Sequence, residues 1–271
     1  MRYDPIKDRM SAFVRGRPVL QRVFFVLLHL IFLRSWYVRR ALRSAVGRMN
    51  GHVEVLDAGT GFGQFTWFIV RSFPSAHVLA VDIKEDYLEH ARAFFTHAEC
   101  GRRVRFERED LTDLRADGPF DCILSVDVLE HIEDDSAVLR HFARVARPGG
   151  VILISTPSNL GGSDARHAAD VSFIDEHVRT GYGLPELEEK LRDAGLEITS
   201  TSYTYGRWGS VAWRILIGFP IAALNNSWAW FPLLLPYWAL ALPAGLVLNA
   251  MDVRANNLEG TGLFVVARKP R

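Results

Sequence analysis

The sequence predicts an α/β fold, a seven-stranded sheet with N-terminal helices and an apolar helical insertion between the last two strands. Three observations carry this expectation. Apolar, β-prone runs at residues 53–56, 77–81, 103–106, 120–125, 151–155, 196–205 and 262–268 alternate with stretches of helical periodicity. The first run stops at a glycine turn, Asp57-Ala-Gly59-Thr-Gly61-Phe-Gly63, which feeds a helix over 64–72 with Phe65, Phe68 and Ile69 on one face. Residues 215–251 hold no Asp, Glu, Lys, Arg or His, a run of 37.

The glycine turn has a chemical meaning. Glycine tolerates positive φ and lets a ligand approach the bare backbone, and the helix behind the turn offers free N–H groups. The dinucleotide fingerprint G-x-G-x-x-G needs its third glycine where this chain has Gln64. Here the spacing is G-x-G-x-G, and Asp57 precedes it. A carboxylate at that place repels a pyrophosphate and suits an ammonium group. The combination points to S-adenosylmethionine (SAM), which carries a sulfonium, an ammonium and a carboxylate but no phosphate.

Later strands end in acids as well. Asp82 closes the second, about one βα unit after the glycines, where a ribose diol would lie. Glu107-Arg-Glu-Asp110-Leu111 follows the third, Ser125 ends the fourth, and Asp127-Val-Leu-Glu130-His131-Ile comes next. Arg147-Pro-Gly149-Gly150 precedes the fifth. Together these motifs resemble the class I SAM-dependent methyltransferases, over residues 50–205 and the last strand. The resemblance implies a Rossmann-like sheet and SAM contacts from Asp57, Gly59, Thr60, Gly61, Gly63, Asp82, Ile83, Asp110, Leu111 and Ser125. It assigns the glycine loop to the methionine end, Asp82 to the ribose and Asp110 to the adenine amine. It says little about the methyl acceptor.

Composition narrows the class further. The chain has 271 residues, 49% hydrophobic, with a slightly positive mean hydropathy, high for a soluble enzyme and low for a multi-span transporter. Cys100 and Cys122 are too few for a disulfide framework and read as reduced thiols. Net charge is +1 but uneven: residues 1–50 carry 11 Lys/Arg against 2 Asp/Glu, and the remainder carries 21 against 29. The basic segment 1–50 encloses an uncharged apolar core, 23–33, too short to span a bilayer. It reads as an interfacial helix, bordered by Arg15, Arg17 and Arg22 on one side and Arg34, Arg39, Arg40 and Arg43 on the other. Trp36 and Tyr37 suit the headgroup level. The other use for such a helix is to pack over the pocket, and different faces can do each.

The insertion divides the chain into three parts: segment 1–50, a catalytic domain of 51–205 and 260–271, and the insertion 206–259. Its apolar run exceeds one span of about 20 residues and falls short of two. Asn225-Asn-Ser227 marks a turn in its middle, and Pro220, Pro232, Pro236 and Pro243 are expected to kink or break helices. A re-entrant or shallow helical hairpin fits best, flanked by Arg214 and Arg254 on the cytoplasmic side. An apolar dimer interface is the alternative. In the implied topology the sixth strand ends at the cofactor edge, so the hairpin emerges at the rim of the site.

Methyl transfer demands alignment and exclusion of water, plus a base where the acceptor is protonated. The candidates for acid–base work are Glu130 and His131 after the fourth strand and His177 in the long loop 156–183. The Asp127-x-x-Glu130-His131 spacing is similar to the E-x-x-E-H of the coenzyme Q biosynthesis O-methyltransferases, with Asp for the first Glu. That resemblance implies a divalent metal on Asp127, Glu130 and His131. The loop also carries His167, Asp170, Asp175, Arg179 and Tyr182; Asp175-Glu-His177-Val-Arg179 resembles a pocket-lining stretch of the same group. The expected protein is a methyltransferase on the cytoplasmic face of the cell membrane, bound to an anionic leaflet. Its acceptor is lipid-like and its chemistry O-methylation. The rivals are a soluble small-molecule methyltransferase with an apolar dimer interface, and a non-catalytic membrane-bound SAM-binding module. Nucleic acid is not an expected partner, since the basic segment lacks isolated stacking aromatics and no base-flipping motif follows the fourth strand.

Overall fold

The computed structural model describes residues 17–161 and 178–271, apart from the side chains of Glu99 and Trp228. Its centre is a seven-stranded sheet in the order β3-β2-β1-β4-β5-β7-β6. The strands are β1 (Val53–Ala58), β2 (Ala76–Asp82), β3 (Val104–Arg108), β4 (Phe120–Val126), β5 (Ala146–Pro157), β6 (Glu197–Thr204) and β7 (Gly262–Arg268). β1 pairs in parallel with β2 and β4, and β7 runs antiparallel between β5 and β6. Chain order reverses at β1, so the crevice between the loops after β1 and β4 is the place where this class of sheet binds ligands. Ala58 lies opposite both Val81 and Ser125, which brings the carboxyl ends of three strands level.

The strand sequences explain the layers. Val53 and Val55 face one core, with Phe65, Phe68, Ile69 and Phe94. Leu56 and Ala58 face the other, with Leu139, Phe142, Leu187 and Leu191. Period-two alternation buried on both faces demands helices on both sides. One side receives α3 (Gln64–Ser72) and α4 (Glu85–Thr96), the other α5 (Asp135–Val145) and α6 (Leu184–Asp193). Asp134 caps α5 by accepting from Ala137 N at 2.9 Å, and Gly195 at φ 79° ends the turn after α6.

The N-terminal segment corrects the single interfacial helix. It is two helices, α1 (Pro18–Ile31) and α2 (Leu33–Ala45), meeting at a bend of 93°. Phe32 leaves the helical region there, and carbonyls at the end of α1 are taken up by Phe32 N, Trp36 Nε1 and Arg39 Nη1. Phe25 and His29 of α1 and Leu33, Val38 and Leu42 of α2 are buried, whereas Val19, Val23, Val26 and Leu27 are exposed. The buried and the exposed apolar residues thus lie on different faces of α1. Tyr37 is not at a headgroup level: it is buried, and its hydroxyl donates to Asp252 Oδ1 at 2.8 Å.

The insertion is a helical hairpin. Its first limb is α7 (Arg207–Trp213), a π turn (Arg214–Gly218) and α8 (Phe219–Asn226); its second is α9 (Phe231–Arg254). Pro236 and Pro243 lie inside α9 without ending it. By length and composition α9 is long and apolar enough to cross a membrane. Asp252, fully buried at its base, closes the two limbs, its Oδ2 accepting from Gly209 N at 2.8 Å, and ties the hairpin to α2 through the Tyr37 hydroxyl. Asn249 Nδ2 donates to Ile31 O, so the hairpin packs directly against the junction of α1 and α2.

Candidate active site

The site is built from the glycine turn outward. Gly59, Gly61 and Gly63 all have positive φ, 79°, 55° and 82°. At Gly59 a Cβ would sit 2.3 Å from Val128 Cγ2, so the loops after β1 and β4 touch because no side chain intervenes. At Gly61 a Cβ would meet nothing within 4 Å, which leaves bare backbone facing open space. Asp57 is buried beneath the turn. Its Oδ2 accepts from Thr60 Oγ1 at 2.9 Å and Thr66 Oγ1 at 2.5 Å, which staples the turn to α3. Burial pushes its carboxyl up to about 6 against the pull of those hydroxyls.

Asp82 stands at the end of β2. Its Oδ2 accepts from Gly61 N at 2.8 Å and its Oδ1 from Lys84 N at 3.0 Å. Burial raises its pKa, and the backbone donors oppose that shift. Ile83 beside it is 55% exposed, an apolar surface open to a ligand. Asp110 is exposed and caps the short turn Leu111–Asp113 through Thr112 N at 2.8 Å, with Leu111 buried behind it. Ser125, buried at the end of β4, has a hydroxyl without a hydrogen-bond partner among the described residues.

The loop after β4 departs from expectation. Asp127 has φ 52° and forms an ion pair with Arg34 of α2. Burial alone would lower the Arg34 pKa, but the Asp127 carboxylate raises it overall. Arg34 N donates to the Tyr205 hydroxyl at 3.3 Å, and Arg34 Nε is buried without a partner among the described residues. Arg34 therefore closes α2 onto the loop after β4. Sequence reasoning missed it because its partner lies 93 residues away; the break at Phe32 was the one local signal.

Glu130 is buried, with Thr156 Oγ1 donating to its Oε2 at 3.1 Å and its Oε1 unpartnered among the described residues. Burial first, and then the Asp127 carboxylate, push its pKa up to about 8. His131 is exposed on the turn Leu129–His131. The metal expectation is corrected here. Among the described residues no group of three His, Cys, Asp or Glu could hold an ion. Asp127 is taken by Arg34, Glu130 faces inward and His131 outward.

His167, Asp170, Asp175 and His177 lie outside the described residues. Arg179 and Tyr182 converge on Asp135. Tyr182 is fully buried and its hydroxyl donates to Asp135 Oδ2 at 2.6 Å. Arg179 Nη1 donates to the same oxygen at 2.5 Å, and Lys190 Nζ reaches Asp135 Oδ1 at 2.7 Å. Together they hold the Asp135 carboxyl below the usual range despite its burial.

The site fits SAM by its own chemistry: a bare glycine backbone, acids at the ends of β1 and β2, and a guanidinium by the β4 loop. Comparison with known proteins agrees. Residues 55–150 match a methyltransferase domain family. A ubiquinone biosynthesis O-methyltransferase of Xanthomonas axonopodis is 28% identical over 63% of this chain and 71% of its own length. A phosphoethanolamine N-methyltransferase of Triticum aestivum is 31% identical over 52% of this chain, which spans 28% of that relative. The structure of a Haemonchus contortus phosphoethanolamine N-methyltransferase in complex with SAM superposes with a TM-score of 0.59 at 20% identity, over 87% of this chain and 53% of that one.

Proposed function

This chain belongs to the class I SAM-dependent methyltransferases, and from that premise we propose that it methylates an oxygen of a hydrophobic, lipid-like acceptor at the cytoplasmic face of a membrane. The observation that carries the membrane part is the outer surface of α9. Leu235 is 66% exposed, Leu240 81% and Val247 60%, along a helix rooted beside the site. Burying each such side chain contributes roughly 1.5–3 kcal/mol. The root matters because β6 ends at Thr204, and Tyr205 next to it meets Arg34. An acceptor leaving the membrane along the hairpin would arrive at the loop after β4. The name of the Xanthomonas relative supports oxygen as the acceptor atom.

When bound, SAM supplies an electrophilic methyl group. The residues assigned to it are the glycine turn with Asp57 for the ammonium, Arg34 for the carboxylate, Asp82 and Ile83 for the ribose, and Asp110 and Leu111 for the adenine. A hydroxyl acceptor has to lose its proton. Glu130, buried with its pKa raised by its surroundings and bonded to Thr156, positions the loop after β4 from behind rather than touching the acceptor. His131 is then the proton acceptor, with His177 as the second candidate.

The same exposed surface of α9 favours one other reading, a subunit interface. Flotation on liposomes separates the two. The triple variant Leu235→Gln, Leu240→Gln, Val247→Gln should keep SAM affinity and leave the vesicles. If the wild-type protein stays in solution and the triple variant turns from dimer to monomer, the surface is a subunit interface.

A further inference from the structure

We propose that Arg39 and Arg43 form a site for the phosphate of an anionic phospholipid headgroup. The proposal rests on the membrane reading and names the chemistry by which one part of that face holds the bilayer. The two arginines lie one turn apart on α2, and both guanidiniums stack over Phe68, their Cζ atoms 5.1 and 5.4 Å from the ring centroid. Phe68 is itself buried, so the ring is a fixed platform. Arg71 lies over the neighbouring Trp67 at 5.0 Å and adds a third guanidinium to the same part of α3.

No acid occurs in the sequence between residues 17 and 53, and among the described residues neither Arg39 nor Arg43 has a carboxylate partner. Arg39 Nη1 makes one long hydrogen bond to His29 O, 3.4 Å, and its Nε is buried without a partner. Like charges four residues apart on a helix repel. A shared anion relieves that repulsion. A phosphate offers several acceptor oxygens to the planar guanidinium fork, a match that a halide lacks.

The surroundings select the lipid as its source. Arg39 caps the carboxyl end of α1, whose exposed stripe is Val19, Val23, Val26 and Leu27. Guanidiniums bordering an exposed apolar stripe are the arrangement of a helix lying in the headgroup region. A free phosphate has no use for the apolar border.

The experiment is flotation of the full chain on phosphatidylcholine vesicles with and without phosphatidylglycerol. The variants are Arg39→Gln/Arg43→Gln and a charge-matched control, Arg102→Gln/Arg105→Gln, both positions exposed. The first should bind phosphatidylglycerol vesicles about 30-fold more weakly. The control should match wild type, and SAM affinity should be unchanged in both. Should the Gln pair fail to fold, Arg39→Lys/Arg43→Lys decides, since it keeps charge and loses the fork; wild-type binding by that pair overturns the site. Equal losses in the Gln pair and the control would reduce the effect to diffuse charge and overturn it too. Calorimetric binding of inorganic phosphate that the Gln pair abolishes, with vesicle binding untouched, would assign the site to free phosphate instead. Wild-type flotation unimpaired in the Gln pair overturns the site alone. Wild-type protein that floats on neither vesicle overturns the membrane reading together with the site.

Discussion

Arg34 of α2 and Asp127, the residue after β4, form an ion pair that closes the N-terminal helices onto the loop touching the glycine turn. Asp127 is held at φ 52°, a region that costs a non-glycine residue energy. The pair leaves Arg34 Nε unused. Arg34→Ala should weaken SAM binding by about 1.5–3 kcal/mol, the loss of a charge-assisted hydrogen bond. Titration calorimetry checks it, and Arg34→Lys should recover only part of the affinity. Unchanged affinity in the Ala variant would remove Arg34 from the cofactor site.

Asp82 fixes Gly61 N, and the ribose is the second task proposed for it. Asp82→Ala should cost SAM affinity about 1.5–3 kcal/mol. Asp82→Asn keeps an acceptor for Gly61 N and should lose less. Equal and wild-type affinities for both variants would mean that the carboxylate does not meet the ribose.

The acid–base assignment predicts a split between binding and turnover. With a hydroxyl acceptor, His131→Ala should lower turnover by roughly 10²–10⁴-fold while SAM still binds. His177→Ala is the paired measurement. Normal turnover in both would leave the reaction without a histidine base.

His29 makes the N-terminal cap sensitive to acid. Burial, and then the charge of Arg39, push its pKa down to about 4, while its Nε2 lies 3.2 Å from Gln64 O. A base with a lowered folded pKa is protonated preferentially in the unfolded chain. Its penalty is therefore absent above about pH 6.5 and grows as pH falls towards 4, to at most about 3 kcal/mol. Thermal unfolding should show stability declining between about pH 6.5 and 4. His29→Gln should flatten that decline; an identical decline in the variant would place the acid-sensitive group elsewhere.

Much of this was legible in the sequence because it is local. The glycine turn, the acids ending β2 and β3, and all seven strands are set by short patterns: alternation, glycine spacing, and an acid directly after an apolar run. The hairpin was legible for the same reason, as uninterrupted apolarity with a polar turn. What escaped depends on partners far along the chain. Arg34 reads as one more basic residue until Asp127 is placed beside it. Tyr37 reads as an interfacial aromatic until Asp252, 215 residues away, accepts its hydroxyl. The metal triad failed on direction, because the short turn Leu129–His131 buries Glu130 and exposes its neighbour. Spacing alone does not fix on which side of a turn a side chain emerges.

The most direct measurement is methyl transfer itself. The full chain is incubated with methyl-labelled SAM and a bacterial lipid extract in vesicles, and the products are partitioned and identified by mass spectrometry. The account predicts label in an organic-soluble product as an O-methyl ether, lost in the Leu235→Gln, Leu240→Gln, Val247→Gln variant and retained when the acceptor is offered in detergent. Label confined to a water-soluble product, or equal labelling of the lipid by that variant in vesicles, would contradict it.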